Sequence, residues 1–127
     1  MNIDKDLILT KLKECDQVLK SNHSQLSLPI IIRISKKMAQ GLKFKPIYVN
    51  KNGSIVDGHH RYISSLIVDF ELERVSDYPN GVLNDLEWEN VEFTEDDWDT
   101  ASKIRMLNKL DAEHNGMKIE EVQSIIE

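Results

Sequence analysis

The stretch that decides the fold reads PIYVNKNGSIVDGHHRYISS and runs from Pro46 to Ser65. Two runs rich in β-branched and aromatic residues lie at 46–50 and 54–56, with Asn52-Gly53 between them. Asn-Gly in this position is a strong signal for a tight β-hairpin, because both residues tolerate positive φ. The spacing predicts that Val49 lies opposite Val56, and apolar residues on both faces indicate a buried hairpin.

The second strand runs directly into the motif Asp57-Gly58-His59-His60-Arg61. A helix is predicted to follow, because apolar residues recur at helical spacing at positions 62, 63, 66, 67 and 70. The start of a helix exposes unpaired N–H groups and the positive end of the dipole, so this turn is suited to hold phosphate. We expect His60 and Arg61 to add donors, and Asp57 to hold a metal ion or accept a proton.

The residues of the motif also have structural interpretations. Asp57 could be the N-cap of the helix, and Gly58 could only supply an unusual backbone angle. Arg61 could pair with an acid from the second half of the chain. Adjacent helical residues point about 100° apart, so the two imidazoles cannot face one ligand equally. His59 is therefore either a site residue or a surface residue.

The order of the Pro-Ile-x-Val strand, hairpin, second strand, Gly-x-His-Arg turn and helix resembles the ParB/sulfiredoxin superfamily over about residues 29–76. The resemblance implies a turn that binds the phosphates of ATP or another nucleoside triphosphate or diphosphate, with Mg²⁺ at Asp57. Carried over by position, Gly58 would allow close approach of the backbone, and His60 and Arg61 would contact phosphate oxygens. Lys43 and Lys45, just before the first strand, could reach the same phosphate.

Two departures from known members of this superfamily narrow the function. Sulfiredoxin has a cysteine where this chain has His59, and the lone Cys15 cannot be aligned with it. Chromosome partition proteins continue into DNA-binding and dimerisation domains, whereas the residues that follow here are few and acidic. The acid before the glycine makes this turn closest to that of the archaeal free serine kinases.

Three functions stay open. The first is a nucleotide-dependent enzyme, for phosphoryl transfer or hydrolysis of a nucleoside triphosphate, with Asp57, His59 and His60 as candidate catalytic residues. The second is a nuclease or DNA-directed accessory protein that uses the same histidines as acid and base on a phosphodiester. The third is a module that binds a nucleotide or a protein without catalysis.

The rest of the chain predicts helices packed on a small mixed sheet, with a helical C-terminal segment over about 94–127. Helices are expected over 4–20, between Ser27 and Gly41, over 95–114 and over 118–126, although the isoleucine run at 30–32 could also be a strand. The third of these helices should be capped by Thr94. A strand is expected at 72–76, a turn at 78–81 and an extended segment at 86–93. Core positions are expected at Trp88, Trp98, Ala101, Ile104 and Leu107.

Composition bounds the class of protein and its location. A chain of 127 residues with 40% apolar and 30% charged residues predicts one globular domain over 1–127, and the predicted helices and strands make it α+β. No apolar run is long enough to span a membrane, and the N-terminus does not read as a secretory signal. Together with a single cysteine, which cannot form an internal disulfide, this favours a cytoplasmic protein.

Charge is distributed unevenly along the chain. The net charge of −6 does not favour binding to nucleic acid by the whole surface. Residues 33–61 carry seven basic residues and one acid, whereas residues 71–99 carry eleven acids and one base. Two solvated surfaces would account for this pattern. The alternative is an anionic ligand on the basic part, and a basic protein partner for the acidic segment 85–99.

Overall fold

The computed structural model describes residues 2–79 and 84–127. Its helices and small mixed sheets confirm the predicted α+β class. The predicted turn at 78–81 lies partly outside the described residues. In chain order the elements are α1 (Lys5–Lys13), β1 (Gln25–Ser27), α2 (Leu28–Ala39), β2 (Ile47–Val49), β3 (Ile55–Asp57), α3 (His59–Ile67), β4 (Arg74–Val75), a 3₁₀ helix (Trp88–Asn90), β5 (Glu92–Thr94), α4 (Ala101–Asn115) and α5 (Ile119–Ile126).

The hairpin forms as predicted, but its register differs. Val49 lies opposite Ile55 rather than Val56, and an irregularity follows Tyr48. The loop explains the difference: Asn50 pairs with Ser54 across a turn in which only Gly53 has positive φ, at 81°. The carboxamide oxygen of Asn50 accepts hydrogen bonds from two N–H groups of the turn. A loop one residue longer than the two-residue Asn-Gly turn therefore sets the pairing.

The helix after the motif carries the chain across to a third strand. α3 buries Tyr62, Ile63 and Ile67, as the periodicity predicted. The predicted strand at 72–76 forms as the shorter β4, which pairs parallel to β2. The sheet order is β3-β2-β4, so β2 is the central strand. This arrangement places the motif at the end of β3, beside the central strand of the sheet.

A second, two-stranded sheet joins the two halves of the chain. β1 and β5 pair in parallel, and Ser27 lies opposite Thr94. The segment at 86–93, expected to be extended, contains the 3₁₀ helix before β5. β1 was not predicted, because three residues directly before a helix carry no clear alternation. The pairing brings the acidic second half of the chain next to the start of α2.

α2 resolves the ambiguity of the isoleucine run in favour of a helix. It begins after Ser27, has a proline in its first turn, and is followed by Gly41 at a φ of 83°. Ile31 and Met38 are buried. α2 packs on α3, and the buried Ser35 of α2 and Ser64 of α3 both donate a hydrogen bond to the carbonyl of Ile31. Ser64 Oγ lies 3.1 Å from the Ile31 carbonyl oxygen and so ties the two helices together.

The first helix is shorter than the predicted 4–20 and ends at Lys13. Tertiary contacts use the backbone of the residues that follow. The N–H of Leu19 donates to the hydroxyl of Tyr62 at 3.0 Å, and the indole of Trp88 donates to the Leu19 carbonyl at 2.8 Å. Lys20 then pairs with the hairpin. A helical Leu19 would have committed the same backbone groups to its own helix.

α4 begins at Ala101 with Thr100 as its cap, not after Thr94. Thr94 belongs to β5, and its hydroxyl instead accepts a hydrogen bond from the N–H of Asp96. The predicted core stripe is wrong as a consequence: Trp98 is 45% exposed, Ala101 is exposed, and Ile104 and Leu107 are only half-buried. The buried residues of α4 are Asn108 and Ala112.

Two apolar clusters stabilise the described chain. The larger joins α1, α2, α3 and the hairpin, and it includes Trp88, whose predicted burial is confirmed. The smaller centres on Leu42, Ala112 and Val122, so α4 and α5 pack on the segment between α2 and β2. The helices over Ala101–Asn115 and Ile119–Ile126 confirm a helical C-terminal segment. No helix within 2–79 and 84–127 has the length and apolar character needed to cross a membrane.

Candidate functional site

The motif forms a strand-to-helix turn whose cap is a glycine. β3 ends at Asp57, and Gly58 is the N-cap of α3 with φ 103° and ψ 29°. A Cβ at this position would lie 2.6 Å from the side chain of Ile47 and 2.8 Å from the Arg61 guanidinium. Only glycine therefore meets both the backbone angle and the available space. No side chain of the described residues caps the first turn of α3, whose N–H groups remain available to a ligand.

Asp57 is not the N-cap, so that interpretation is wrong. Its carboxylate makes no capping hydrogen bond to α3, and the side chain is 66% exposed. Its nearest cation is Arg61, with 3.4 Å between Oδ2 and a guanidinium nitrogen. An exposed pair at this distance is weak. The carboxylate therefore remains open to a metal ion or a proton.

Arg61 lies along the turn rather than reaching the second half of the chain. One guanidinium nitrogen donates to the carbonyl of Pro46 at 3.1 Å and faces Asp57. The side chain is 20% exposed, and its buried Nε has no hydrogen-bond partner among the described residues. The alternative of an ion pair with a late acid is thus wrong for this residue. Arg61 thus binds the backbone just before β2 and places a positive charge at the motif.

His59 is buried and neutral. It is 2% exposed, its Nε2 accepts the N–H of Asn22 at 3.3 Å, and its ring stacks on His23 at 3.8 Å between centroids. Burial, and to a lesser extent His23 and His60, lowers its pKa to about 3. Because Nε2 is an acceptor, Nδ1 carries the proton, and Nδ1 has no partner among the described residues. Of the two interpretations left open for His59, the surface position is therefore wrong.

His60 also accepts a backbone hydrogen bond. Its Nε2 lies 3.0 Å from the N–H of Ser27, and its ring meets that of Trp98 at nearly a right angle. Burial lowers the pKa to about 4, and this effect outweighs the opposing influence of Asp99. The imidazole is neutral at pH 7, and Nδ1–H is its remaining donor. His60 can therefore donate a hydrogen bond to a ligand through Nδ1–H, but its Nε2 already accepts the N–H of Ser27.

Part of the uneven charge of the sequence is compensated within the chain. Arg33 binds Asp97 through two hydrogen bonds of 2.6 and 2.8 Å and also contacts Asp99 at 3.3 Å. The nearly buried Lys37 pairs with Asp111 at 2.6 Å. The hydrogen bond from Arg33 lowers the pKa of Asp97. Basic residues of the first half thus already hold part of the acidic segment 85–99, and a basic protein partner for it stays a prediction.

The motif opens into a cleft of about 880 Å³. Every predicted site residue lines this cleft, including Lys43 and Lys45. Both lysines are exposed, and no carboxylate of the described residues pairs with either of them. The sequence-predicted residues are thus brought together, with Asp57 the one acid among them. The remaining lining comes mainly from α2, from Trp98 and Asp99 just before α4, and from α4 itself. It includes the acids Asp99, Asp111 and Glu113 and, in particular, Ile30, Ile34, Phe44, Trp98, Lys103, Leu107, Leu110 and His114.

The wall formed by α4 was missed by sequence reasoning. The motif indicated where phosphate would bind, but nothing nearby in sequence pointed to residues 98–114. The only signal was the acidic run that ends at Asp99, which suggests a partner for the basic run. Its partner proves to be Arg33, and this ion pair brings the start of α4 to the cleft.

A magnesium ion would have one carboxylate ligand here. Among the described residues no three His, Cys, Asp or Glu side chains come together as a metal site. Mg²⁺ is commonly held by one or two carboxylates together with substrate phosphates and water. Asp57, which is exposed and next to the phosphate-binding turn, fits that mode and would hold the ion through its carboxylate oxygens.

Comparisons of this chain with protein-family models, with curated proteins and with solved structures found no match. The interpretation of the cleft therefore rests on its own residues.

Proposed function

We propose that this protein binds a nucleoside triphosphate or diphosphate through its phosphates at residues 57–61 and transfers or hydrolyses the terminal phosphoryl group. One observation carries the proposal. The uncapped first turn of α3 opens into the same cleft as Arg61, Lys43 and Lys45. Backbone N–H groups at a helix start, joined by cationic side chains, form a site suited to phosphate.

The size of the cleft is consistent with this ligand. Small-molecule sites usually enclose about 300–1,000 Å³ and combine apolar walls with a few placed polar groups. The cleft has a volume of about 880 Å³, and apolar side chains from α2 and α4 line it together with the charged turn. Such a site offers separate surfaces to the phosphates and to the rest of a nucleotide.

Asp57 is the residue best able to take part in catalysis. Phosphoryl transfer depends on positioning and on neutralising charge more than on covalent chemistry. Arg61, the lysines and the helix start would neutralise the phosphates. Asp57 would hold Mg²⁺ or take a proton from the acceptor. The order of strand, hairpin and turn also supports the proposal that the chain is a member of the ParB/sulfiredoxin superfamily.

A second candidate is a nucleotide-binding module without catalysis. The specific observation in its favour is that both imidazoles accept backbone N–H groups through Nε2, from Asn22 and Ser27. Their role can then be to fasten the loop before α2 to the motif. The same hydrogen bonds weaken the nuclease alternative, which needs a histidine free to act as a base.

A nucleotide panel tests the proposal. Calorimetry with nucleoside triphosphates and diphosphates, with and without Mg²⁺, should show binding to the parent protein. Lys43→Ala combined with Lys45→Ala should weaken it by roughly tenfold, because two exposed charges near phosphate are lost. Lys51→Ala is the matched control, since Lys51 is exposed in the hairpin loop and lies outside the cleft lining. Equal affinity in the double variant and the control would contradict the proposal.

Turnover separates the two candidates. Phosphate release, or phosphoryl transfer to small hydroxyl acceptors, should be measured with the same nucleotides. Activity that disappears in Asp57→Asn supports the enzyme. Binding without turnover under any of these conditions supports the non-catalytic module.

A further inference from the structure

Trp98 differs from the other tryptophan of the chain in its exposure. Trp88 is 6% exposed and belongs to the main core, whereas Trp98 is 45% exposed and lines the cleft. Its ring centroid lies 5.4 Å from that of His60, at an interplanar angle of 88°. The indole therefore stands directly beside the first turn of α3. A large apolar surface in this position is open to a ligand that binds at the turn.

The segment that carries Trp98 is held on both sides. Ser27 Oγ donates to the carbonyl of Asp96 at 2.8 Å, and Arg33 forms its two hydrogen bonds with Asp97. The carboxylate of Asp97 also accepts the N–H of Asp99 at 3.0 Å. The segment is thus hydrogen-bonded through the Asp96 carbonyl and the Asp97 carboxylate before the tryptophan, and through the Asp99 N–H after it. An exposed aromatic side chain on an anchored segment loses little conformational freedom when it binds.

We infer that Trp98 is the platform on which the base of the nucleotide stacks. The inference deepens the proposed function and rests on it. Apolar side chains also line this cleft, namely Ile30 and Ile34 from α2 and Leu107 and Leu110 from α4. The phosphates at the turn and the base on Trp98 would be joined by a ribose that passes His60. The C-terminal helical segment then supplies the base side of the site.

The lining favours an aromatic base over a peptide side chain. The turn and its lysines select a polyphosphate, and the adjacent surface of Trp98 is suited to a flat ring. Stacking on an aromatic side chain tolerates different bases, because every base presents a π-face. The site should therefore prefer nucleotides to bare polyphosphate and discriminate only modestly among the four bases.

Affinity measurements test the platform. Each nucleoside triphosphate and inorganic tripolyphosphate are titrated with Mg²⁺ into the parent protein and into Trp98→Ala and Trp98→Phe. We expect the parent to prefer the nucleotides by about tenfold to a hundredfold, the scale of one base–aromatic stack. Trp98→Ala should lose this preference and keep its affinity for tripolyphosphate, while Trp98→Phe should keep most of the preference. Met106→Ala is the control, because Met106 is 51% exposed on α4 and does not line the cleft.

Fluorescence provides a second measurement that needs no stable variant. The chain has two tryptophans, and Trp88 is shielded in the core. Nucleotides should quench the parent emission on binding, whereas tripolyphosphate should leave it nearly unchanged. Equal affinities of the parent for nucleotide and tripolyphosphate, or an unchanged preference in Trp98→Ala, would overturn the platform while leaving phosphate binding intact. If neither the nucleotides nor tripolyphosphate bind to the parent protein, both the proposed function and the platform are overturned.

Discussion

Acidification below about pH 6.5 should destabilise the protein through His59 and His60. Both imidazoles are neutral in the fold, and their pKa values are lowered from 6.5 to about 3 and about 4, chiefly by burial. Because both folded-state values lie below the unfolded value, the unfolded chain binds protons first as the pH falls. The contribution to stability is fully present above pH 6.5 and decreases below it.

The magnitude follows from the two shifts. A histidine that titrates at 6.5 when unfolded and at 3 to 4 when folded loses about 2 kcal/mol of stabilisation between pH 7.5 and pH 5. His59 is 2% exposed, so its full contribution to the free energy of unfolding is included. His60 is only half-buried, so solvent screening reduces its contribution. The free energy of unfolding should fall by about 3–4 kcal/mol over this range. That is a large part of the 5–15 kcal/mol typical of a folded domain.

The charged and titratable groups around the two imidazoles, taken together with burial, leave both pKa values lowered, as this prediction requires. His23 lowers both pKa values and Arg61 lowers that of His60, whereas Asp99 raises the latter without restoring it. The pKa of Asp97 is lowered from 3.8 by its hydrogen bond to Arg33. The stabilisation from Asp97 is therefore lost only below about pH 4, outside the range tested.

Urea unfolding followed by circular dichroism at pH 7.5, 6 and 5 measures the effect. In His59→Gln combined with His60→Gln, each glutamine oxygen can accept the hydrogen bond from Asn22 or Ser27 without titrating. The decline between pH 7.5 and 5 should then largely disappear. His114→Gln replaces an exposed histidine and should keep the decline of the parent. Equal stability of the parent at pH 7.5 and 5, or the same decline in the double variant, would refute the reasoning.

Three further predictions follow from the site and its supports. Asp57→Asn should leave the melting temperature unchanged, because Asp57 caps no helix. It should lower phosphoryl turnover by roughly a hundredfold, the scale of a lost general base. Unchanged turnover would remove Asp57 from the mechanism. Gly58→Ala should cost about 2–4 kcal/mol in urea unfolding, since strain and a clash coincide. Gly53→Ala, where no atom lies within 4 Å of the new Cβ, should cost less. A double-mutant cycle of Arg33→Ala and Asp97→Ala should show a coupling of about 1–3 kcal/mol. Additive losses would mean that this ion pair does not hold the segment before α4.

The local units were predictable from the sequence because their causes are local. Asn52-Gly53 indicated a hairpin, and Ser27 and Gly41 were correctly expected to flank α2. The motif was correctly placed between a strand and a helix, and its residues do line one cleft with Lys43 and Lys45. Turn chemistry, caps and apolar periodicity act over a few residues, so they can be read without knowledge of the fold.

What only the tertiary structure decided depends on partners distant in sequence. α1 does not extend to residue 20 as predicted, because Tyr62 and Trp88 bind the backbone of Leu19, 43 and 69 residues away. The acidic segment 85–99 pairs through Asp97 with Arg33, 64 residues away. Because that pairing moves the start of α4, Trp98 lies beside the motif instead of in the core. The sequence shows which side chains are apolar or charged and would be stabilised by burial or by an opposite charge. Which core or ion partner each of them contacts is decided by elements that come together only in the folded chain.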